Sequence, residues 1–257
     1  MTPRRFGAAL AALGCVLAGP VLAAKLPIYD DFSSETIDRS KWRQSAEVRF
    51  VDSKQALIGR RFYGGTSSDS GLLAESYGLS MTDGTPPKGL AADITVLETE
   101  VEGCPANPSP SFARARLSAA YFNRLRTPVP GDRTGDVIAQ VRVGQTSASS
   151  DVVVQGVVSS CLDANCDNST VIGQVNFANA TLGVKLNGRI DWVKADKTFR
   201  FTIDGLSTQD VVYTDAHGNA PVLPFVQIAV RSEAANCTTQ RVRTSLLSRF
   251  DNVRVAR

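Results

Sequence analysis

Histidine is almost missing from this chain. The only one in 257 residues is His217, and it stands in the turn-like stretch TDAHGNAP. A Ser-His-Asp or Cys-His catalytic set therefore lacks its base, and a zinc site lacks its usual nitrogen ligands. The sequence also has no G-x-S-x-G elbow, no phosphate loop, no dinucleotide fingerprint and no metal-spaced histidine cluster. No block of like charge occurs, and the formal net charge is only +3. That balance recruits neither nucleic acid nor an anionic surface as a partner. Beyond the N-terminus no run approaches the roughly 18 apolar residues needed to span a membrane. Amphipathic helices are lacking too: SSETIDRSKW holds one turn at most, and no internal repeat is present.

The first 23 residues have the layout of a secretory signal peptide. Arg4 and Arg5 form a positive start, an uncharged run extends from Phe6 to Leu22, and VLAA supplies small residues for cleavage. The expectation is an exported protein, periplasmic or extracellular and bacterial, whose residues 24–257 form a single domain. Without the two leader arginines, 26 basic residues face 25 acidic ones. Four cysteines then remain, Cys104, Cys161, Cys166 and Cys237, an even number that reads as two disulfides in an oxidising compartment. Cys161 and Cys166 flank the turn-rich LDAN, so a local bridge is the simplest pairing. Cys104 and Cys237 would then close over a long range, although three connectivities are possible.

Period-two alternation dominates the rest. Strands are expected at 47–51, 92–101, 113–122, 136–144, 151–158, 171–177, 182–186, 189–193, 198–204, 225–232 and 249–255. Turn chemistry separates them, as in TDGTPPKG, CPANPSP, TPVPGD and KADK. Many short strands without intervening helices imply an all-β sandwich or barrel. In TFRFTID, Phe199, Phe201 and Ile203 share one face while Arg200 and Thr202 take the other. Trp192 follows Ile190 on one face of its strand. It reads as a core aromatic, with a sugar-stacking platform as the alternative. Trp42 also reads as core.

The chain contains YDDFSSETIDRSKWR (29–43), the hairpin RIDWVKADKTFRFTIDG (189–205) and RFDNVRV (249–255). These segments resemble the concanavalin A-like lectin/glucanase superfamily. The resemblance implies a jelly roll of two antiparallel sheets with both termini side by side. It says little about activity, because lectins, glycosidases, lyases and adhesive modules share this fold. It also implies a possible structural Ca²⁺ near the termini, with Asp30, Asp31 and Asp251 as oxygen donors. A second calcium-like pattern is DANCDNS, in which Asp163, Asn165 and Asp167 alternate; a disulfide-tied polar turn is the simpler reading. No cofactor is favoured.

LETEVEGC carries the one arrangement that suggests catalysis. Laminarinase-type enzymes of the superfamily use an E-x-D-x-E strand, and ETEVE would supply Glu98 as nucleophile, Glu100 as helper and Glu102 as acid/base. The central residue departs from the pattern, being Glu where the family has Asp. Residues four apart on a strand lie about 13 Å apart at Cα, whereas retaining chemistry needs carboxyl groups roughly 5–5.5 Å apart. The nearest aromatics in sequence are Tyr77 and Phe112, which makes Tyr77, with Trp192, a candidate for sugar contact. FARAR follows after the proline-rich loop 103–111. A hairpin would set Glu102 opposite Arg114 and Glu100 opposite Arg116, as structural ion pairs. The expected function is thus a non-catalytic exported sandwich binding a glycan or an envelope component. The alternatives are a glycoside hydrolase acting through Glu98 and Glu102, and a structural or adhesive protein without a small ligand.

Overall fold

A computed structural model of the protein describes residues 26–33, 37–38, 40–42, 49–205, 207–215 and 218–257. The leader and His217 lie outside the described residues. Secondary structure is almost wholly strand. In order these are β1 (Ile28–Asp30), β2 (Arg49–Asp52), β3 (Gln55–Tyr63), β4 (Leu72–Ser80), β5 (Gly89–Val101), β6 (Phe112–Asn123) and β7 (Asp136–Thr146). There follow β8 (Ser149–Cys161), β9 (Ser169–Asn176), β10 (Leu186–Val193), β11 (Thr198–Ile203), β12 (Ser207–Val212), β13 (Val226–Ala235) and β14 (Arg243–Ala256). Among the described residues no helix is long and apolar enough to cross a membrane.

The strands form two antiparallel sheets. One has eight strands in the order β12-β11-β10-β5-β14-β3-β2, with β1 also paired to β14. The other has six, in the order β4-β13-β6-β7-β8-β9. The chain passes from sheet to sheet between β3 and β4, β4 and β5, β5 and β6, β9 and β10, β12 and β13, and β13 and β14. This is the jelly-roll sandwich that the concanavalin A-like resemblance implies.

Alternation explains which faces meet. On β7, Val137, Ala139, Val141 and Val143 enter the core while Ile138, Gln140 and Arg142 point outward. On β6, Ala113, Ala115, Leu117 and Ala119 face inward, against Leu90, Ala92, Ile94 and Val96 of β5. Close approach of the sheets demands Gly156, because a Cβ there would collide with the Phe201 ring. The β10–β11 hairpin closes through a 3₁₀ turn at Lys194–Asp196, with Lys197 left-handed at φ 51°. Its register sets Trp192 opposite Phe199.

Several expectations shift at this level. The strand expected at 182–186 is not separate: only Leu186 is paired, as the first residue of β10. β1, β3, β4 and β12 carry no expected strand; Gly59, Arg60 and Arg61 break the alternation of β3, and Gly78 interrupts β4. Both disulfides are present, Cys161–Cys166 and Cys104–Cys237, with Cα atoms 4.8 and 5.6 Å apart.

The signature segments have structural work. Asp30 is buried; its carboxylate accepts the Phe32 N–H (2.9 Å) and the Trp42 indole N–H (2.6 Å), and Lys41 lies 3.5 Å away. Phe32 stacks on Trp42 with centroids 5.6 Å apart. Within the closing motif, Asn252 sits left-handed at φ 48° in a bulge of β14 and donates to buried Asp93 (2.9 Å). The first and last motifs therefore plug and clamp the sandwich.

Candidate functional site

The outward residues of β13, β6 and β7 assemble the floor of a cleft on the six-stranded sheet. Register fixes their order. Arg231 of β13 lies opposite Arg114 of β6, and Arg116 of β6 lies opposite Arg142 of β7. Ser76 of β4 pairs across Arg231, and Ser118 lies between Gln227 and Gln140. The cleft encloses about 540 Å³. Its walls come from Phe112, Arg133, Phe225 and the loop residues Asn165 to Asp167.

That loop is built from within. Asp163 accepts the backbone N–H groups of Asn165 (3.2 Å), Asp167 (2.9 Å) and Asn168 (2.8 Å), and also the Asn168 amide (2.8 Å). These hydrogen bonds hold the Asp163 carboxyl below the usual carboxylate range. The Cys161–Cys166 bridge packs the loop beside Ala120, Ile138 and Phe225 on the sheet's outer face. Arg133 donates its backbone N–H to the Ala164 carbonyl (3.0 Å), tying the loop to the β6–β7 connection.

Positive charge is concentrated here without matching counter-charge. Arg231 donates to Glu233 (2.5 Å), and Arg133 lies 3.8 Å from Asp136. Among the described residues Arg114, Arg116 and Arg142 form no ion pair. Their contacts are neutral: Arg116 donates to the Ser76 hydroxyl (2.7 Å) and Arg142 to the Gln140 carbonyl oxygen (2.7 Å). The Arg114 guanidinium lies 3.4 Å from the Phe112 ring centroid, a cation–π contact. Burial, followed by the charge of Arg142, pulls Arg114 down to about 9. Burial and Arg231 pull Arg142 to about 10. Burial draws Arg116 well below its ordinary value, with Arg231, Arg142 and Arg114 adding repulsion. A guanidinium nonetheless keeps its proton at neutral pH, so the cleft holds several charges that oppose one another.

The residues singled out from sequence lie elsewhere. The expected Glu–Arg ladder does not form, because β5 and β6 belong to different sheets. β5 pairs with β14 and β10, while β6 pairs with β13 and β7. Glu100 pairs with Arg243, and the Arg243 guanidinium also reaches Glu102 (3.5 Å). The Arg243 backbone N–H donates to Glu102 as well (2.8 Å). A bulge beside Val96 turns Thr99 and Val101 inward and leaves Glu98 and Glu100 exposed on the outer face of the eight-stranded sheet. The three glutamates are thus across the core from the cleft.

Trp192 packs on Phe122 and Phe199 and donates its indole N–H to the Tyr213 hydroxyl (2.9 Å). Tyr77 packs partly against the core, hydrogen-bonds to Glu75 and lies under the guanidinium of Arg60 (4.3 Å). Neither lines the cleft. Asp31 is exposed and accepts the Ser33 N–H (3.1 Å), whereas Asp251 accepts the Asn252 N–H (2.7 Å). Arg142, Arg231, Gln140, Gln227, Arg133 and Phe225 escaped notice in the sequence. For the arginines and glutamines of β7 and β13 the one signal is a charged or amide residue at an outward position of an otherwise apolar strand, as in AQVRV and QIAVRS; Arg133 and Phe225 lie in connections and carry no such signal.

Fold and cleft together define a jelly-roll sandwich with an open polar groove on its smaller sheet. No family model matches the chain, and no curated protein matches it in sequence. Among solved structures it is similar to laminarinase from Flavobacterium sp. UMI-01, at 11% identity over 88% of this chain and 100% of that one, with a TM-score of 0.49. It is similar to the alginate lyase Aly36B (12% identity, 82% of this chain, 84% of that one, TM-score 0.43). The carbohydrate recognition domain of Emp47p is a third (10% identity, 88% and 94%, TM-score 0.41). Function therefore has to be argued from the site.

Proposed function

We propose that this protein is an exported, non-catalytic jelly roll that binds a carbohydrate in the cleft of its six-stranded sheet. The carrying observation is the cleft itself. Its lining sets guanidinium groups, the amides of Gln140 and Gln227 and the hydroxyls of Ser76 and Ser159 beside the rings of Phe112 and Phe225. Sugars present hydroxyls around an apolar ring face, and a few convergent polar groups beside aromatic walls match that pattern. Gln140 gives its carbonyl oxygen to Arg142, which orients its NH₂ group as a donor. Donors that stay charged at neutral pH bind and orient, and they are poor general acids or bases. The glutamates that could have served a glycosidase face the other side of the sandwich. Two disulfides support an oxidising compartment.

A panel of soluble polysaccharides and oligosaccharides, titrated calorimetrically against the protein, tests this reading. Saturable binding to at least one member is expected, with the glycan recovered intact. Gln140→Ala combined with Gln227→Ala should weaken that binding about tenfold, the sum of two lost hydrogen bonds. No saturable binding across the panel, or cleavage of the bound glycan, would overturn it.

A further inference from the structure

The cleft holds charge in an arrangement that costs stability. Like charges directly opposite on neighbouring strands repel, yet Arg231 faces Arg114 and Arg116 faces Arg142 in consecutive outward rows. Five arginines line the space, with Glu233 and Asp167 as its carboxylates, and Glu233 is taken by Arg231. The chain as a whole is nearly neutral, so this concentration is local.

A second, independent observation concerns unsatisfied groups. Arg116 is 7% exposed, and its Nε–H has no hydrogen-bond partner. The hydroxyl of Ser118, in the next outward position of β6, is likewise buried without a partner. A buried donor left unmade costs about 1–3 kcal/mol, and more for a charged group. Buried Nε groups without a hydrogen bond also occur on β14, at Arg243, Arg249 and Arg254, but the first two pair with carboxylates through another nitrogen. Arg116 has no counter-charge and stands beside a second unpartnered group, so an acceptor is missing at the cleft floor.

We propose that the ligand of this cleft is an acidic polysaccharide, whose carboxylate or sulfate groups are received by Arg114, Arg116, Arg142 and Arg231. This rests on reading the cleft as a glycan site and adds the chemistry of the glycan. Guanidinium forks match planar or tetrahedral oxyanions through paired hydrogen bonds. An oxyanion in the floor would satisfy Arg116 Nε and at the same time screen the facing arginines from one another. Successive outward positions on β6 are about 6.6–6.8 Å apart. The Arg116–Arg142 and Arg114–Arg231 rows therefore suit acidic groups repeated along a chain, and the cleft is large enough for more than one sugar.

The test titrates the full protein with sodium polygalacturonate, its methyl ester, dextran sulfate, dextran and inorganic sulfate. The acidic polymers are expected to bind and the methyl ester and dextran to bind at least about tenfold more weakly, as for a lost charge-assisted hydrogen bond. Affinity should fall as salt rises. Preference between polygalacturonate and dextran sulfate assigns carboxylate or sulfate. Arg116→Gln and Arg142→Gln should each cut acidic binding by a similar factor. Arg200→Gln, whose pair with Asp210 lies on the other sheet, should leave it unchanged. Thermal melts confirm that each variant is folded, and either cleft variant suffices. Equal affinity for dextran and dextran sulfate would overturn the acidic assignment while leaving glycan binding intact. Inorganic sulfate binding as tightly as the polymers would overturn the polysaccharide. Binding to none of the acidic polymers in a protein that binds neutral glycans would also sink it. Loss of all glycan binding would instead remove the underlying reading.

Discussion

Asp30 shows how one buried carboxylate can organise a chain end. Its oxygens serve the Phe32 amide, the Trp42 indole and Lys41, and Trp42 is completely buried. Asp30→Ala strands the indole N–H in the core, and the expected loss is about 1–3 kcal/mol, read as a lower denaturant midpoint with unchanged slope. Asp31→Ala, next door but exposed, should be within about 0.5 kcal/mol of wild type. Equal effects of the two would contradict this role. The resemblance carried by DDF and SKW was legible in the sequence, but the hydrogen bond joining them was not, since nothing in the spacing says which aspartate turns inward. At the glutamates the sequence misled for a physical reason. Arg114 and Arg116 alternate in phase with Glu100 and Glu102, while the true partner, Arg243, is about 140 residues away on β14.

Among elements, the connection from β5 to β6 decides where the cleft sits. Neighbouring strands in sequence pair about two-thirds of the time, and the proline-rich loop 103–111 looked like a hairpin. It is a crossover: Cys104 is bridged to Cys237, Asn107 donates to the carbonyls of Gly71 and Asn236 (2.9 Å each), and the chain changes sheets. Once crossed, β6 lies between β13 and β7, and arginines from three strands meet. Alternation within each strand was readable, whereas strand order is set by long-range contacts that no window of sequence contains. The two disulfides differ accordingly. Cys104–Cys237 spans 133 residues and Cys161–Cys166 spans 5, so loop-closure entropy favours the long one by about 3 kcal/mol. Replacing Cys104 and Cys237 by Ser should lower the melting temperature far more than replacing Cys161 and Cys166. The short bridge should instead show its effect in ligand affinity, because its loop forms one wall of the cleft. A larger stability loss from the short bridge would contradict this division.

At the scale of the whole molecule, the sandwich has two outer faces of opposite character. On the eight-stranded sheet, arginines stand beside carboxylates: Arg200 with Asp210, Arg243 with Glu100, and Arg249 with Asp52. On the six-stranded sheet, arginines face arginines in consecutive rows, and Arg114, Arg116 and Arg142 stand without a carboxylate partner. Net charge hides this segregation, which is why composition pointed away from an anionic partner. The all-β sandwich was readable from alternation and turn chemistry, and the location of the site was not, because it depends on which faces the two sheets leave outside. The most direct measurement is a hydrogen-exchange footprint of the protein with a saturating acidic polysaccharide bound. Protection is expected along β6, β7, β13 and the 162–168 loop, with the Glu98–Glu102 segment of β5 unchanged. Protection of that segment, with β6 and β7 unaffected, would contradict the assignment of the site.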